Sequence, residues 1–222
     1  MNTDVRLSLV YEKLFKSYGA QHWWPGESGL ECAVGAVLTQ NTSWVNVEKA
    51  ISNLKSAMDI TFKNLEAVSA DELSVLIRPA GFYIQKAGCI KRLVEFIINE
   101  YGGKIDNMKS ADTYALRQQL LSIKGIGPET ADCILLYVLK KPVFVIDRYT
   151  YRILFRHGFV DRETTYNEMQ KIFMDNLEND EVMFGEFHAL IVQAGKRHCK
   201  KKADCEACPL NFDSHDFSNE VI

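Results

Sequence analysis

Apolar residues recur at helical spacing along most of this chain. The first such segment, VRLSLVYEKLFKSYG, ends at Gly19. The same pattern predicts further helices at about residues 30–38, 44–58, 71–77, 84–100, 111–122, 128–139, 148–157, 164–178 and 181–197. Residues 101–113 are predicted to form a loop that ends in a helix cap. The run PVFVID, residues 142–147, is strand-like but too short to seed a sheet. The pattern therefore predicts an all-α fold.

Composition limits the classes of protein that this chain can be. Its 222 residues are 47% hydrophobic, which is enough for one large core or two small ones. Charged residues interrupt every apolar run before it reaches membrane length, and the first residues lack the apolar stretch of a secretory signal. We therefore expect a cytoplasmic protein (nucleoid-associated in a prokaryote) without a membrane partner. The net charge of −3 argues against non-specific coating of nucleic acid, although a local basic patch can still bind it.

The most informative segment is LLSIKGIGPETADC, residues 120–133. A helix is predicted to end before Lys124, and a second one to begin at Pro128, which suits a first helical position. Gly125 and Gly127 are expected to let the backbone turn tightly with positive φ. The amide groups at the start of the second helix, with Lys124 beside them, would suit a DNA phosphate. By itself, a glycine-rich turn between two helices is also an ordinary structural feature.

Other motifs accompany this hairpin. They are LTQNT at 38–42, RPAGFY followed by KA at 78–87, and VFVID followed by RYTYRILFR at 143–156. Together with the PETAD that follows the glycines, they resemble the helix-hairpin-helix DNA glycosylases of the endonuclease III superfamily, over about residues 22–210. The resemblance implies two helical domains with a DNA-binding cleft between them. One would span 31–141 and end in the hairpin, and the other would combine 1–30 with 142–222.

The resemblance also implies roles for individual residues. Asp147 would be the catalytic aspartate, and its position also predicts that it caps the following helix. Gln40 would fill the gap that an extruded base leaves in the duplex. Lys124, Gly125 and Gly127 would bind DNA.

Glu129 bears on the type of reaction. Family members that also cut the strand carry a lysine at this place, and its amine forms a Schiff base with the sugar. A carboxylate cannot do this, so we expect base removal without efficient strand cleavage. Glu129 would contact the substrate in the catalytic site, or else would only favour the helix dipole. Lys124 remains an alternative nucleophile.

The aromatic residues narrow the resemblance further. All three tryptophans fall in HWWP and QNTSW, and these segments are similar to the 3-methyladenine DNA glycosylase branch. That branch uses such residues as a substrate pocket, here Trp23, Trp24, Pro25 and Trp44. Indole faces attract a cationic alkylated base, by about 0.5–2 kcal/mol each. Packing in a core is the alternative for Trp23 and Trp24.

Cysteines mark the C-terminal region. Of the six in the chain, Cys32, Cys89 and Cys133 lie in apolar helical segments and are expected in the core. Family members often hold a [4Fe–4S] cluster with the pattern C-x6-C-x2-C-x5-C. Here Cys199, Cys205 and Cys208 give C-x5-C-x2-C, and Ser214 and His215 stand where the fourth cysteine belongs. The alternatives are a cluster bound by these three cysteines and by His215 or another ligand, zinc bound by three cysteines and a histidine, or no metal.

These observations predict a monofunctional DNA glycosylase of base excision repair that removes a flipped alkylated purine. Its partner would be double-stranded DNA with a damaged base, and we expect a monomer without an organic cofactor. One alternative is an endonuclease III-like glycosylase and lyase for oxidised pyrimidines. Another is a non-catalytic helix-hairpin-helix DNA-binding protein, which would have no use for Asp147.

Overall fold

The computed structural model describes residues 2–214, and over these residues the protein is all-α with no strand. The predicted fold class is confirmed. The α-helices are α1 (Thr3–Tyr18), α2 (Gly29–Leu38), α3 (Trp44–Ala57), α4 (Phe62–Ala67), α5 (Ala70–Leu76), α6 (Tyr83–Tyr101), α7 (Ile105–Met108), α8 (Thr113–Ser122), α9 (Pro128–Cys133), α10 (Arg148–Arg156), α11 (Tyr166–Met174) and α12 (Glu181–Arg197). A 3₁₀ turn occupies Arg78–Ala80, and a π-helical turn, Ile134–Val138, continues α9.

The chain divides into two compact units. The central unit is Trp24–Lys141, and the terminal unit combines Met1–Trp23 with Pro142–Ile222. The sequence placed the first boundary between residues 30 and 31, whereas the contacts place it between Trp23 and Trp24. The second boundary lies before Pro142 in both cases.

In the central unit, the apolar helix α2 is almost entirely buried. Ser28 caps its N-terminus by accepting a hydrogen bond from the backbone N–H of Glu31 at 3.1 Å. At its other end the buried Lys86 of α6 donates to the carbonyl of Leu38 at 2.9 Å and to that of Ala80 at 2.7 Å. Burial lowers the pKa of Lys86 to about 8. Lys86 thus ties the end of α2 to the 3₁₀ turn.

In the terminal unit, the strand-like run at 142–147 is extended, with 143–146 buried, and no strand lies beside it among the described residues. Phe144 stacks on Phe173 with ring centroids 3.7 Å apart and meets Phe184 and Phe187 edge-on. The side-chain amide of Gln170 donates to the carbonyl of Phe144 at 2.6 Å. The run is apolar because helices surround it. A short apolar run of this kind has the same sequence pattern as a buried strand, so the two cannot be told apart from sequence.

Three local features differ from the prediction. The loop predicted at 101–113 contains the short helix α7, the helix predicted at 164–178 is confined to α11, and α4 was not predicted. Short helices carry too few apolar positions for their period to be recognised. Among the described residues, no helix combines the length and the apolar character that crossing a membrane requires.

Candidate active site and hairpin

The hairpin between α8 and α9 has one glycine with positive φ rather than the expected two. Gly125 has φ of 102°, which side chains rarely adopt, and an added Cβ would lie 3.1 Å from Sγ of Cys89. Gly127 has φ of −96° and caps α9, and an added Cβ there would meet no atom within 4 Å. Backbone strain therefore does not require a glycine at 127.

Side chains from two other parts of the central unit hold this hairpin. Arg92 of α6 donates to the carbonyl of Lys124 at 2.9 Å. The side-chain amide of Gln40, just after α2, donates to the carbonyl of Gly125 at 2.9 Å and to Oγ1 of Thr130 at 3.0 Å. Gln40 therefore lies at the hairpin.

A buried ion pair braces the two hairpin helices against each other. Arg117 of α8 and Asp132 of α9 form two parallel hydrogen bonds, of 2.7 and 3.0 Å. The carboxylate of Asp132 is fully buried. Such paired geometry fixes the relative orientation of the two helices. Lys124 and Glu129 are both exposed on the outside of this frame.

Trp24, Pro25 and Trp44 line one pocket of about 390 Å³ in the central unit. The indole of Trp24 meets that of Trp44 edge-on with centroids 5.2 Å apart, and Tyr137 packs against it at 5.3 Å. Trp24 also lies against Gly35 of α2, where an added Cβ would be 3.3 Å from its Nε1. The glycine therefore makes room for the indole at the pocket wall.

Carboxylates complete the lining of this pocket. Glu31 and Glu48 both face it, as does Lys55. The ammonium of Lys55 lies 2.9 Å from Glu27 and 2.9 Å from Glu31, and hydrogen bonds to these two carboxylates raise the pKa of Lys55. Nε1 of Trp44 donates to Glu48 at 3.0 Å. The pocket thus combines two indole rings with a surplus of negative charge.

Trp23 lies in the terminal unit, apart from the set that lines this pocket. The ammonium of Lys196 lies 5.7 Å from the centroid of its ring. The described geometry of the central unit therefore brings together Trp24, Pro25 and Trp44 but does not include Trp23.

Asp147 is the N-cap of α10, as its position predicted. Its Oδ1 accepts hydrogen bonds from the backbone N–H of Thr150 at 2.7 Å and from the Thr150 hydroxyl at 2.9 Å. Its Oδ2 lies 3.8 Å from Nε2 of His188 in α12. Burial lowers the pKa of His188, the negative charge of Asp147 opposes this, and Lys196 adds to the lowering.

The three C-terminal cysteines line one enclosed cavity, together with His157 and His198 among others. Burial raises the pKa of both Cys205 and Cys208. Within residues 2–214 these side chains do not form a group of three or more able to hold a metal ion. His215, the predicted fourth ligand, lies outside the described residues. The described residues therefore do not fit a complete iron–sulfur or zinc site, and the metal remains a prediction.

Comparison with known proteins decides the family. The HhH-GPD family, described as HhH-GPD superfamily base excision DNA repair protein, matches residues 34–179. The chain belongs to this superfamily. An HhH-GPD relative from Methanocaldococcus jannaschii, named "Putative DNA repair glycosylase MJ1434", is 47% identical over 202 residues, which cover 90% of this chain and 92% of that protein. Endonuclease III of Thermotoga maritima is 29% identical over 181 residues, covering 80% of this chain and 78% of that one.

Solved structures agree with this assignment. The H. pylori 3-methyladenine DNA glycosylase MagIII bound to 1,N6-ethenoadenine has 32% identity and a TM-score of 0.75, with 89% of this chain and 98% of that chain covered. Endonuclease III in a non-covalent complex with DNA has 24% identity and a TM-score of 0.82 over 96% of both chains, which supports the fold. This HhH-GPD protein is a base excision repair DNA glycosylase, an enzyme that cleaves N-glycosidic bonds.

The sequence did not single out several residues that build the site. His188 sits within an apolar stretch of α12, and a histidine on a buried helical face is the signal that could have found it. Glu48 follows Trp44 by four residues, a spacing that puts both on one side of α3. Arg92 and Arg117 bind groups 32 and 15 residues further along the chain, which no local pattern indicates.

Proposed function

We propose that this HhH-GPD enzyme is a monofunctional DNA glycosylase that removes alkylated purines, of the 3-methyladenine type, from double-stranded DNA. The observation that carries the proposal is the pocket in which Trp24 and Trp44 lie beside the carboxylates of Glu31 and Glu48. The relative MagIII, named as a 3-methyladenine DNA glycosylase, supports the same class of substrate.

The charge of the lesion explains why this pocket would be selective. Alkylation of a purine at N3 or N7 puts a positive charge on the base within the nucleotide. The faces of indole rings attract cations, by about 0.5–2 kcal/mol each, and nearby carboxylates add to this attraction. An ordinary purine is neutral and gains neither contribution. Stacking on the indoles also compensates the flipped base for the stacking it loses in the duplex.

The hairpin would hold the DNA. A phosphate would be bound by the exposed backbone at Gly125 and Gly127 and by the side chain of Lys124. Gln40, which donates to the carbonyl of Gly125, would support the gap left by the flipped nucleotide. Its bonds to the hairpin would preorganise it for this task.

Asp147 would provide the catalytic carboxylate. Cleavage of the N-glycosidic bond develops positive charge on the deoxyribose, which a fixed carboxylate stabilises, and the same group can orient the attacking water. Thr150 holds one oxygen of Asp147 by two hydrogen bonds, so the group is oriented before substrate binds. An alkylated base leaves readily, so the reaction needs little help from a general acid. Glu129 would contribute as an anionic or hydrogen-bonding partner of the base.

Removal of the base would not be followed by strand cleavage, because Glu129 occupies the place of the Schiff-base lysine. Relatives named endonuclease III make a glycosylase and lyase for oxidised pyrimidines the competing function. In that case Lys124 would supply the amine.

The test is single-turnover base release from duplexes that each carry one lesion: 3-methyladenine, thymine glycol, or adenine opposite 8-oxoguanine. Each reaction is scored with and without alkali, and a parallel sample is treated with borohydride to trap a Schiff base. We expect release of the methylated base, strand breaks only after alkali, and no trapped adduct. Glu129→Lys should introduce trapping, which checks that the assay detects an amine at this place.

Alkali-independent breaks at thymine glycol would contradict the proposal. Loss of those breaks in Lys124→Ala would then identify the nucleophile. DNA binding without release of any of the three bases would favour the non-catalytic alternative.

A further inference from the structure

Asp147 and His188 meet where the N-terminus of α10 packs against α12. Thr150 holds Oδ1 of the aspartate, and Nε2 of His188 lies 3.8 Å from Oδ2. The histidine is buried, with 5% of its surface exposed, whereas the aspartate side chain is 14% exposed. The imidazole therefore approaches Oδ2 from the protein interior, while Oδ1 makes the hydrogen bonds of the helix cap.

We propose that His188 is a positioning residue, whose Nε2–H fixes the second oxygen of Asp147 and so holds the carboxylate plane for cleavage of the glycosidic bond. The inference rests on the proposed catalytic role of Asp147. It adds to that role a group that does not touch the substrate.

The protonation state of His188 suits a neutral donor. Burial lowers the pKa of His188, so the ring is mainly neutral near pH 7 and carries one N–H. Among the described residues, Asp147 at the start of α10 raises its pKa and Lys196, further along α12, lowers it. A neutral donor can orient the carboxylate without cancelling its charge, which the developing sugar cation needs.

The present distance of 3.8 Å exceeds that of a hydrogen bond. Catalytic hydrogen bonds are often long in the free enzyme and tighten in the substrate complex. A shift of less than about 1 Å would bring Nε2 into the usual range of 2.7–3.2 Å. We expect that shift when DNA binds.

Packing alone does not account for a histidine here. Its neighbours on the buried face of α12 are apolar, among them Phe184, Phe187 and Ile191. A buried polar ring is costly unless it is hydrogen-bonded, so an apolar residue would serve better if filling space were its sole task. A hydrogen bond from Nε2 to Asp147 would offset part of that cost.

The test is a double-mutant cycle on single-turnover release of 3-methyladenine, with affinity for lesion DNA measured separately. His188→Leu should slow release by about 10- to 100-fold, the scale seen when a group that orients a ligand is removed, with affinity little changed. His188→Gln places an amide donor near the position of Nε2 and should recover most of the rate. In the Asp147→Asn background, His188→Leu should cause no further loss, because the group that it positions is gone.

Phe187→Leu is the matched control for disturbed packing. Phe187 precedes His188 and packs on Phe144, with ring centroids 5.9 Å apart. It should lower the melting temperature but leave the rate of release unchanged well below that temperature. Imidazole ¹⁵N chemical shifts of His188, compared between wild type and Asp147→Asn, give a readout that does not depend on a folded His188 variant. We expect the Nε2 resonance to change.

The outcomes separate the two proposals. If Asp147→Asn greatly slows release but His188→Leu keeps the wild-type rate, the positioning role is wrong and the proposed function stands. The positioning role would also be wrong if His188→Leu slowed release equally in both backgrounds. The same holds if the Nε2 chemical shift were the same in wild type and in Asp147→Asn. If the wild type does not release methylated bases, the proposed function fails and this inference fails with it.

Discussion

The indole N–H of Trp44 donates a hydrogen bond of 3.0 Å to the carboxylate of Glu48, one turn further along α3. Both residues line the same pocket. The bond fixes the rotation of the indole, and it places a negative charge at the edge of the surface on which a base would stack. Glu48 can therefore affect both the order of the pocket and its preference for cationic bases.

These two effects can be separated by substitution. Glu48→Gln keeps an acceptor for Trp44 but removes the charge, so release of cationic 3-methyladenine should fall about threefold while release of neutral 1,N6-ethenoadenine is unchanged. The effect is modest because Glu48 is exposed and solvent screens its charge. Glu48→Leu also removes the acceptor and should slow both reactions. Single-turnover rates measure this, with Glu95→Gln on the exposed face of α6 as control. Equal loss for both lesions in Glu48→Gln would contradict the charge effect.

The two hairpin glycines should respond differently to alanine. Gly125→Ala places a side chain at φ of 102° and brings its Cβ within 3.1 Å of Cys89, so we expect a loss of about 2 kcal/mol in the free energy of unfolding. Affinity for DNA should fall with it, because the hairpin backbone must shift. Denaturant unfolding and DNA titration measure the two effects.

Gly127→Ala is the matched control for stability, since φ is negative there and an added Cβ meets no atom within 4 Å. Its free energy of unfolding should change by less than about 0.5 kcal/mol. If Gly127→Ala destabilised the protein as much as Gly125→Ala, the assignment of strain to Gly125 would be wrong.

The sequence predicted those features that depend on residues close together in the chain. The bounds of α12 and the cap at Asp147 follow from apolar period and capping chemistry, and both agree with the structure. Gly127 shows the limit of such reasoning, since GIG does not reveal which glycine takes a positive φ. His188 shows another limit. It lies 41 residues beyond Asp147 in the chain, and only the packing of α10 on α12 brings the two together.

Lys86 makes stability depend on pH. Its folded pKa is about 8, below the usual value of 10.5. Between these values the unfolded chain keeps the proton and the folded one has released it, so stability should rise with pH in this window and be independent of this group below it. Chemical unfolding at several pH values between about 7 and 10 measures the slope. Lys86→Met removes the titrating group, so its free energy of unfolding should rise less steeply with pH than that of the wild type. An equal slope in both proteins would show that other groups cause the pH dependence.

The C-terminal loop is held by contacts that need no metal. The guanidinium of Arg156 donates to the carbonyl of Lys200 at 2.7 Å and to Sγ of Cys199 at 3.2 Å. Asp213 binds Arg6 at 2.7 Å and His157 at 2.9 Å, which ties the loop to α1 and to the end of α10. These bonds fix the loop at both ends of the cysteine cluster.

We therefore expect a folded loop with less than one equivalent of iron or zinc, since Ser214 stands where the family pattern has its fourth cysteine. Metal analysis of protein purified without oxygen measures the content, and thermal unfolding with and without a chelator measures its effect. Replacing Cys199, Cys205 and Cys208 by serine should change the melting temperature by a few degrees at most. Arg156→Leu should lower it more, because the loop loses the hydrogen bonds from the guanidinium to the carbonyl of Lys200 and to Sγ of Cys199. Stoichiometric iron that is lost together with stability in the cysteine variant would contradict this. It would mean that a ligand beyond residue 214, with His215 the first candidate, completes the site.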